Sequence, residues 1–346
     1  MATDSSFTAL PEDVLQRVLV GVLLDDHPAT AAACRAFRDV IRGPRFHRLR
    51  REYGFAERRV IIVCQRFPDT VEIHVAGKHR AVERVSERLH LCTFYTSTTD
   101  GGDRLFVSTT RTHGLPFEIF AVDASARRWS PFATLPLNQR LHCTEWHGGL
   151  LYVAGGKTGE YFDTYINTFH AFNETTGLWE DLPPMPHACA WATSGVIGNE
   201  LFVAGGRYGG NEILTLQIYD ITARTWRLGA PLPHAQYAAW GIVVGDGKLY
   251  LVSLQHLWDR STMRYDVQSN TWTELLDPRY DQSTYAMHAF AHNGRLVAVN
   301  TSSSAFHRGT GSDPSADVFW PSHWGHFDLD MAPGITRGVA SSILFG

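Results

Sequence analysis

Residues 150–179 read LLYVAGGKTGEYFDTYINTFHAFNETTGLW and residues 200–226 read ELFVAGGRYGGNEILTLQIYDITARTW. Each opens on a short apolar run, turns at a glycine pair (Gly155-Gly156, Gly205-Gly206) and crosses a polar loop. Each then returns as a second apolar run whose Asp or Asn stands six residues before a tryptophan. Working outward, that step occurs four times: Asp123 to Trp129, Asn173 to Trp179, Asp220 to Trp226 and Asp266 to Trp272. The tryptophans are spaced by 50, 47 and 46 residues. Apolar runs RLFVS (104–108) and KLYLVS (248–253) precede the first and last of them. A period of this length marks a repeat array. Each unit reads strand, strand, loop, strand, turn, tryptophan strand, which is one four-stranded antiparallel blade.

The glycine pair lets the backbone turn where a Cβ would clash, at the end of a buried strand. The tryptophan is expected to fill the space between neighbouring blades, and the Asp or Asn to accept backbone N–H groups in the turn before it. These positions are structural. A period near 47 with a double glycine and a later Tyr-Asp and Trp resembles the kelch repeat. The fold class expected is therefore mainly β, a six-bladed kelch β-propeller. Its blades are about 59–90 plus 337–345, 91–136, 137–186, 187–233, 234–277 and 284–330. The first blade lacks an inner strand. The stretch RGVASSILF (337–345) resembles HACAWATSGVI (187–197) and HAQYAAWGIVV (234–244) in its small, alternating residues. It is expected to complete that blade and close the ring, leaving no bare edge.

Ahead of the repeats, Leu10, Val14, Val18 and Val22 recur every four residues behind Pro11, with Glu12 and Asp13 in the opening turn, a helix start. A second helical stretch is expected from Pro28 to Arg42, stopped by Gly43 and Pro44, and a third from Phe46 to Tyr53. Residues 9–54 resemble an F-box on Leu10, Pro11, Val14, Val18, Leu19, Cys34, Arg35, Phe37, Arg38, Pro44 and Phe46; Phe37 stands where the family usually has tryptophan. The whole chain thus resembles a plant-type F-box/kelch-repeat protein, with an F-box helical domain over 8–55 and a propeller over 59–346.

That resemblance implies the substrate receptor of a Skp–cullin–F-box (SCF) E3 ubiquitin ligase. The eleven F-box residues just named would dock on a Skp-type adaptor and, through it, on cullin. The propeller would bind the protein to be ubiquitinated and degraded. Such a receptor performs no chemistry and needs no cofactor or metal; it raises the local concentration of its target. Residues 35–59 carry nine arginines against three acids, which suits either an acidic adaptor surface or a solvated helix face.

In an antiparallel blade the loops after strands two and four gather on one rim. Tyr161, Tyr165, Arg207, Tyr208, Trp258 and Arg260, in the loops 157–165, 207–212 and 255–262, are candidates for target binding, being of the types that dominate binding hot spots. His142, His187, His234 and His288 recur near the starts of the inner strands and are further rim candidates. No carboxylate or cysteine accompanies them at metal-ligand spacing.

The chain of 346 residues is 44% hydrophobic, which excludes overall disorder, and its 30 glycines and 12% aromatic content suit β architecture. With 31 basic against 35 acidic residues, charge gives no reason to expect nucleic acid or an anionic membrane as partner. The longest apolar runs, such as Val18 to Leu24, fall far below the roughly 20 residues that span a bilayer. The opening residues around Asp4 are polar, so a cytoplasmic and/or nuclear location is expected. The five cysteines are scattered without a C-x-x-C pair and read as reduced thiols. Neither G-x-S-x-G nor a P-loop is present, so the chain is not expected to be an enzyme. Two alternatives stand beside the receptor: a kelch scaffold or regulator without ligase assembly, and a copper oxidase-like propeller, separable by adaptor binding and by tightly bound metal.

Overall fold

The structure is a computed structural model that describes residues 11–22, 26–55, 57–66, 70–76, 83–88, 91–100, 102, 104–111, 117–123, 128–159, 164–233, 240–245, 247–253, 262–275, 288–292, 295–299, 315–319, 325–328 and 335–345. Four helices come first: α1 (Glu12–Leu19), α2 (His27–Ala33), α3 (Arg35–Arg42) and α4 (Pro44–Glu52). The single helix expected over Pro28 to Arg42 is in fact two. Cys34 breaks it, with extended backbone (φ -156, ψ 167) and a thiol that accepts the Phe37 N–H at 3.4 Å, capping α3. Pro44 opens α4, where a missing N–H costs nothing.

The helices share a small core of Leu15, Leu19, Val20, Val40, Ile41 and Phe46. Leu15 and Leu19, one residue on from the row Val14 and Val18, turn inward together with Gln16. At the exit of α1 the side chain of Arg50 is buried, at 1% exposure. One guanidinium nitrogen donates to the Val20 carbonyl at 2.7 Å and to that of Val22, and the other donates to the Phe55 carbonyl at 2.7 Å. Helix ends leave carbonyls without partners, and here one side chain satisfies them while tying the end of α1 to the residue beyond α4.

The strands follow in chain order. The first group is β1 (Glu57–Arg66), β2 (Thr70–Ala76) and β3 (Glu83–Arg88). The second is β4 (Leu91–Thr99), β5 (Arg104–Arg111), β6 (Glu118–Asp123) and β7 (Arg128–Thr134). The third is β8 (Cys143–His147), β9 (Leu150–Ala154), the short pair β10 (Lys157–Thr158) and β11 (Thr164–Tyr165), then β12 (Phe169–Asn173) and β13 (Leu178–Leu182). The fourth repeats this with β14 (Thr193–Ile197), β15 (Glu200–Ala204), β16 (Arg207–Tyr208), β17 (Asn211–Glu212), β18 (Leu216–Asp220) and β19 (Thr225–Leu228). The fifth is β20 (Trp240–Gly245), β21 (Lys248–Ser253), β22 (Thr262–Asp266) and β23 (Thr271–Leu275). The last are β24 (His288–His292), β25 (Arg295–Val299), β26 (Ser315–Phe319), β27 (Gly325–Asp328) and β28 (Ile335–Phe345).

Among the described residues these form six four-stranded antiparallel sheets and two small hairpins, β10–β11 and β16–β17. The first sheet takes the order β28-β1-β2-β3, with Glu57 opposite Phe345 and Val63 opposite Val339. The first strands of successive sheets are neighbours: β4 lies against β8, β8 against β14, β14 against β20 and β20 against β24, while β28 touches both β24 and β4. The chain is mainly β, in an arrangement consistent with a propeller.

The core lies between sheets rather than within one. Phe106 and Ile119 pack with Leu151, Val153 and Phe172; Tyr152 and Phe169 with Leu201, Val203 and Tyr219; Phe202 and Leu216 with Leu249, Met263 and Tyr265. The repeat tryptophans close these seams. Trp179 Nε1 donates to the Thr134 carbonyl at 2.8 Å, Trp226 Nε1 to that of Pro183 at 2.8 Å and Trp272 Nε1 to that of Ala230 at 2.9 Å, each acceptor lying in the preceding unit. The Trp226 ring also meets Phe169 edge-on at 5.0 Å.

The amide and acids before the tryptophans do what their type suggests. Asn173 Oδ1 accepts the N–H groups of Thr175 and Thr176, Asp220 Oδ1 that of Ala223, and Asp266 Oδ1 those of Gln268 and Ser269. At the glycine pairs the reason for glycine is explicit. Gly156 has φ +107, and a Cβ there would stand 2.7 Å from the Arg140 carbonyl oxygen; at Gly206, φ +97, it would stand 2.8 Å from that of Ala190.

The long register between β28 and β1 carries a testable consequence. Without residues 335–345 strand β1 loses one of its two partners. A chain ending at residue 334 is expected to lose the cooperative thermal transition of the full chain, measured by circular dichroism. An unchanged transition would contradict this role for β28.

Candidate functional site

Beyond Gly156 and Gly206 the chain enters the hairpins β10–β11 and β16–β17, which carry three of the residues singled out from the sequence. Each hairpin is stitched to the segment that enters its own sheet. Arg140 and Lys157 exchange backbone hydrogen bonds of 2.9 and 2.8 Å, and Ala190 and Arg207 exchange bonds of 3.1 and 2.8 Å. The next residues, Leu141 and Trp191, are held in left-handed backbone at φ 59 and 56, and the Trp191 N–H reaches across to the Leu141 carbonyl at 3.0 Å. Non-glycine residues persist in this conformation only where their surroundings over-determine it.

The result is a ladder of cations and rings spanning two repeats. Lys157 Nζ lies 4.2 Å from the Trp191 ring centre and 4.6 Å from that of Tyr165. The Arg207 guanidinium lies 5.9 Å from Trp191, and the Tyr165 and Tyr208 rings meet at 5.4 Å. Tyr208 is 55% exposed at the outer end. Cations over aromatic faces are attracted by the ring quadrupole, so the ladder fixes its own side chains before any partner arrives. Tyr165, Arg207 and Tyr208 are thus brought together. Lys157 and Trp191 were not singled out beforehand; the signal is that Trp191 occupies the register of Leu141 one repeat earlier.

The other rim candidates fare differently. Tyr161, Trp258, Arg260 and His234 lie outside the described residues. His288 opens β24, opposite Val299. His142 is not on the rim. It is buried with Nε2 3.0 Å from Ser108 Oγ, and burial pushes its pKa down to about 4. His187 is exposed, and its backbone N–H and carbonyl are both held by Gln217. Nor do these two histidines occupy equivalent positions: the residue that matches His142 in the next repeat, one beyond the left-handed Trp191, is Ala192. No group of three or more His, Cys, Asp or Glu placed to hold a metal ion occurs among the described residues.

On the helical side, Pro11, Val14 and Val18 face outward, Val14 at 36% and Val18 at 52% exposure. Arg35 is exposed; Cys34, Phe37 and Arg38 are half-buried, and Arg38 Nε donates to the Ala31 carbonyl at 3.2 Å. Pro44 begins α4, and Leu10 lies outside the described residues. Leu19 and Phe46, expected at the surface as contact residues, belong instead to the interior of the bundle.

One carboxyl group joins three neighbouring first strands. Glu145 on β8 accepts from Ser194 Oγ of β14 at 2.7 Å and from Thr98 Oγ1 of β4 at 3.3 Å. Burial pushes its pKa up to about 7, with the two hydroxyl bonds pulling the other way.

With this geometry in place, comparison with known proteins is informative. Residues 141–186 and 189–233 match the family described as Kelch motif. The chain carries kelch repeats. Similar curated proteins include Kelch-like protein 36 of Bos taurus, 24% identical over 157 residues, covering 42% of this chain and 25% of the relative. Kelch repeat and BTB domain-containing protein 12 of Danio rerio is 28% identical over 174 residues, 42% of this chain and 27% of that one. Kelch domain-containing protein 10 of Xenopus tropicalis is 30% identical over 172 residues, 44% and 38% respectively. The chain spans about a quarter of the length of the first relatives it matches. The two matched kelch repeats are the two that carry the ladder.

The Glu145 bridge sets a pH dependence. Folded Glu145 keeps its proton up to about 7, whereas a free glutamate loses it near 4.5, so stability falls as pH rises through that interval. His142 acts oppositely, costing stability as pH falls from 6.5 to about 4. Comparing variants at each pH isolates the carboxyl. In denaturant unfolding Glu145→Gln is expected to match the stability of wild type at pH 4.5 and to exceed it at pH 8, by about 2 kcal/mol given about 1.4 kcal/mol per pKa unit and partial solvation. A difference that does not change with pH would contradict the assignment.

Proposed function

We propose that the chain is the substrate-recognition subunit of an SCF-type E3 ubiquitin ligase. The helical module is its F-box and docks on a Skp-type adaptor, and through it on cullin. The six sheets are the blades of a propeller closed by the C-terminal strand, and its rim binds the protein targeted for ubiquitination and degradation. The subunit itself is not an enzyme and uses no cofactor, and it works in the cytoplasm and/or nucleus without nucleic acid or membrane as partner. No helix among the described residues is long and apolar enough to cross a membrane.

The observation that carries this reading is the division of α1. Its inner row, Leu15 and Leu19, completes the bundle's core, while Pro11, Val14 and Val18 form an outward apolar row at spacings of three and four. An amphipathic helix spends its apolar face on its own core; a second apolar row on the solvent side is surface available to a partner. The ladder of Lys157, Tyr165, Trp191, Arg207 and Tyr208 supports target binding, because rigid aromatic and arginine side chains make strong anchors at low entropic cost. The β28 pairing with β1, and its contact with β4 and β24, supports closure.

The full chain co-expressed with a Skp-type adaptor is expected to elute as a one-to-one complex on size-exclusion chromatography. A Val14→Asp, Val18→Asp double variant should weaken the complex by roughly a hundredfold or more, since it places two charges in a desolvated contact, while leaving the melting temperature of the chain nearly unchanged. Absence of a complex from folded wild-type protein would move the reading to a kelch scaffold.

A further inference from the structure

We infer that the adaptor-docking surface does not end with α1 but continues through the ring of Phe55, at the junction leading into the first sheet, where buried Arg50 positions it. This rests on the reading of the helical module as an adaptor-binding unit.

Along α1, Pro11, Val14 and Val18 form one row, and the next position in that row is Gly21. A Cβ at Gly21 would stand 3.6 Å from both Cε1 and Cζ of the Phe55 ring, so the ring lies against the glycine where an α1 side chain would otherwise continue the stripe. Phe55 is 46% exposed and neighbouring Tyr53 is 55% exposed, so neither is consumed by the core. The ring is not on a loose tail. The Phe55 N–H donates to the Arg50 carbonyl at 2.8 Å, and the Phe55 carbonyl accepts from Arg50 Nη2 at 2.7 Å. The same guanidinium holds the Val20 and Val22 carbonyls at the end of α1. One buried arginine therefore registers the exit of α1 to the exit of α4. Strand β1 begins two residues later, at Glu57.

The charge around the stripe indicates the chemistry of the partner. The acids Glu12 and Asp13 gather at the amino end of α1, whereas α3 and α4 carry seven arginines against Asp39 and Glu52, with Arg35, Arg45 and Arg48 exposed. The occupant that fits is an adaptor with an apolar groove for the α1 row and Phe55, flanked by acidic side chains opposite α3 and α4. Gripping the junction as well as the helix would fix the direction in which the first sheet leaves the adaptor.

The test uses the full chain with a Skp-type adaptor. Amide hydrogen exchange is expected to slow in residues 11–22 and in 53–57 together on complex formation. Phe55→Ala should lower affinity about tenfold with an unchanged melting temperature, Phe55→Leu should retain most of it, and affinity should fall as salt is raised. Slowed exchange in α1 alone, or wild-type affinity in Phe55→Ala, would overturn the extended surface while leaving adaptor binding intact. Affinity indifferent to salt would overturn the acidic flank. If wild-type protein forms no complex, the adaptor reading itself falls, and this inference with it. Arg50 variants are a poorer probe, because removing a buried guanidinium strands three carbonyls and the bundle itself would loosen.

Discussion

The described core of the sheets is buried between neighbours, not within any one of them. Phe106, Phe169 and Phe202 each stand at the boundary between one sheet and the next, and their partners come from both sides. Stability is therefore held in the seams, as in any array whose units contact only their neighbours. Each of these three described seams combines apolar area with a polar contact, the tryptophan N–H on a carbonyl of the preceding unit. These bonds lie toward the solvent side of the seams, so they set register more than they add energy.

The placement of the two hairpins follows from the same close packing. Because Gly156 and Gly206 allow their strands to end hard against neighbouring backbone, the hairpins beyond them start from fixed positions. The stitching of Arg140 to Lys157 and of Ala190 to Arg207 then forces Trp191 into a left-handed conformation between two cations. A ladder held this way would lose little further entropy on binding a partner, which is why the proposed reading assigns it to recognition. Glu145 adds a polar tie across three first strands, and its raised pKa is the cost of holding a carboxyl where water is scarce.

The sequence made the repeats legible because tryptophan is rare and its role here is tied to one position per unit. The turn acids and glycine pairs were readable for the same reason: few residue types accept two backbone N–H groups or permit φ near +100. What the sequence hid was orientation at finer grain. A four-residue spacing in α1 fits both the Val14 and Val18 row and the adjacent Leu15 and Leu19 row, and only packing decides which turns inward. Cys34 as a cap was masked by the alanines around it. His142 and His187 looked like one repeated position because both precede inner strands, yet they differ in register and His142 is sealed in the core. Trp191 read as strand interior because its strained backbone leaves no local sequence mark.

On the proposed reading, the helical and β parts would divide a receptor's labour. The mutually supporting sheets would offer a preorganised surface to a target, and the helical bundle leaves an apolar row uncovered beside a junction clamped by Arg50. The central claim is that this row joins the kelch-repeat part to a ligase. The most direct measurement is native mass spectrometry of the full chain mixed with a Skp-type adaptor and the amino-terminal region of a cullin. The account requires a ternary species of one copy each that forms only when the adaptor is present. A chain that stays monomeric beside an intact adaptor–cullin pair would contradict it.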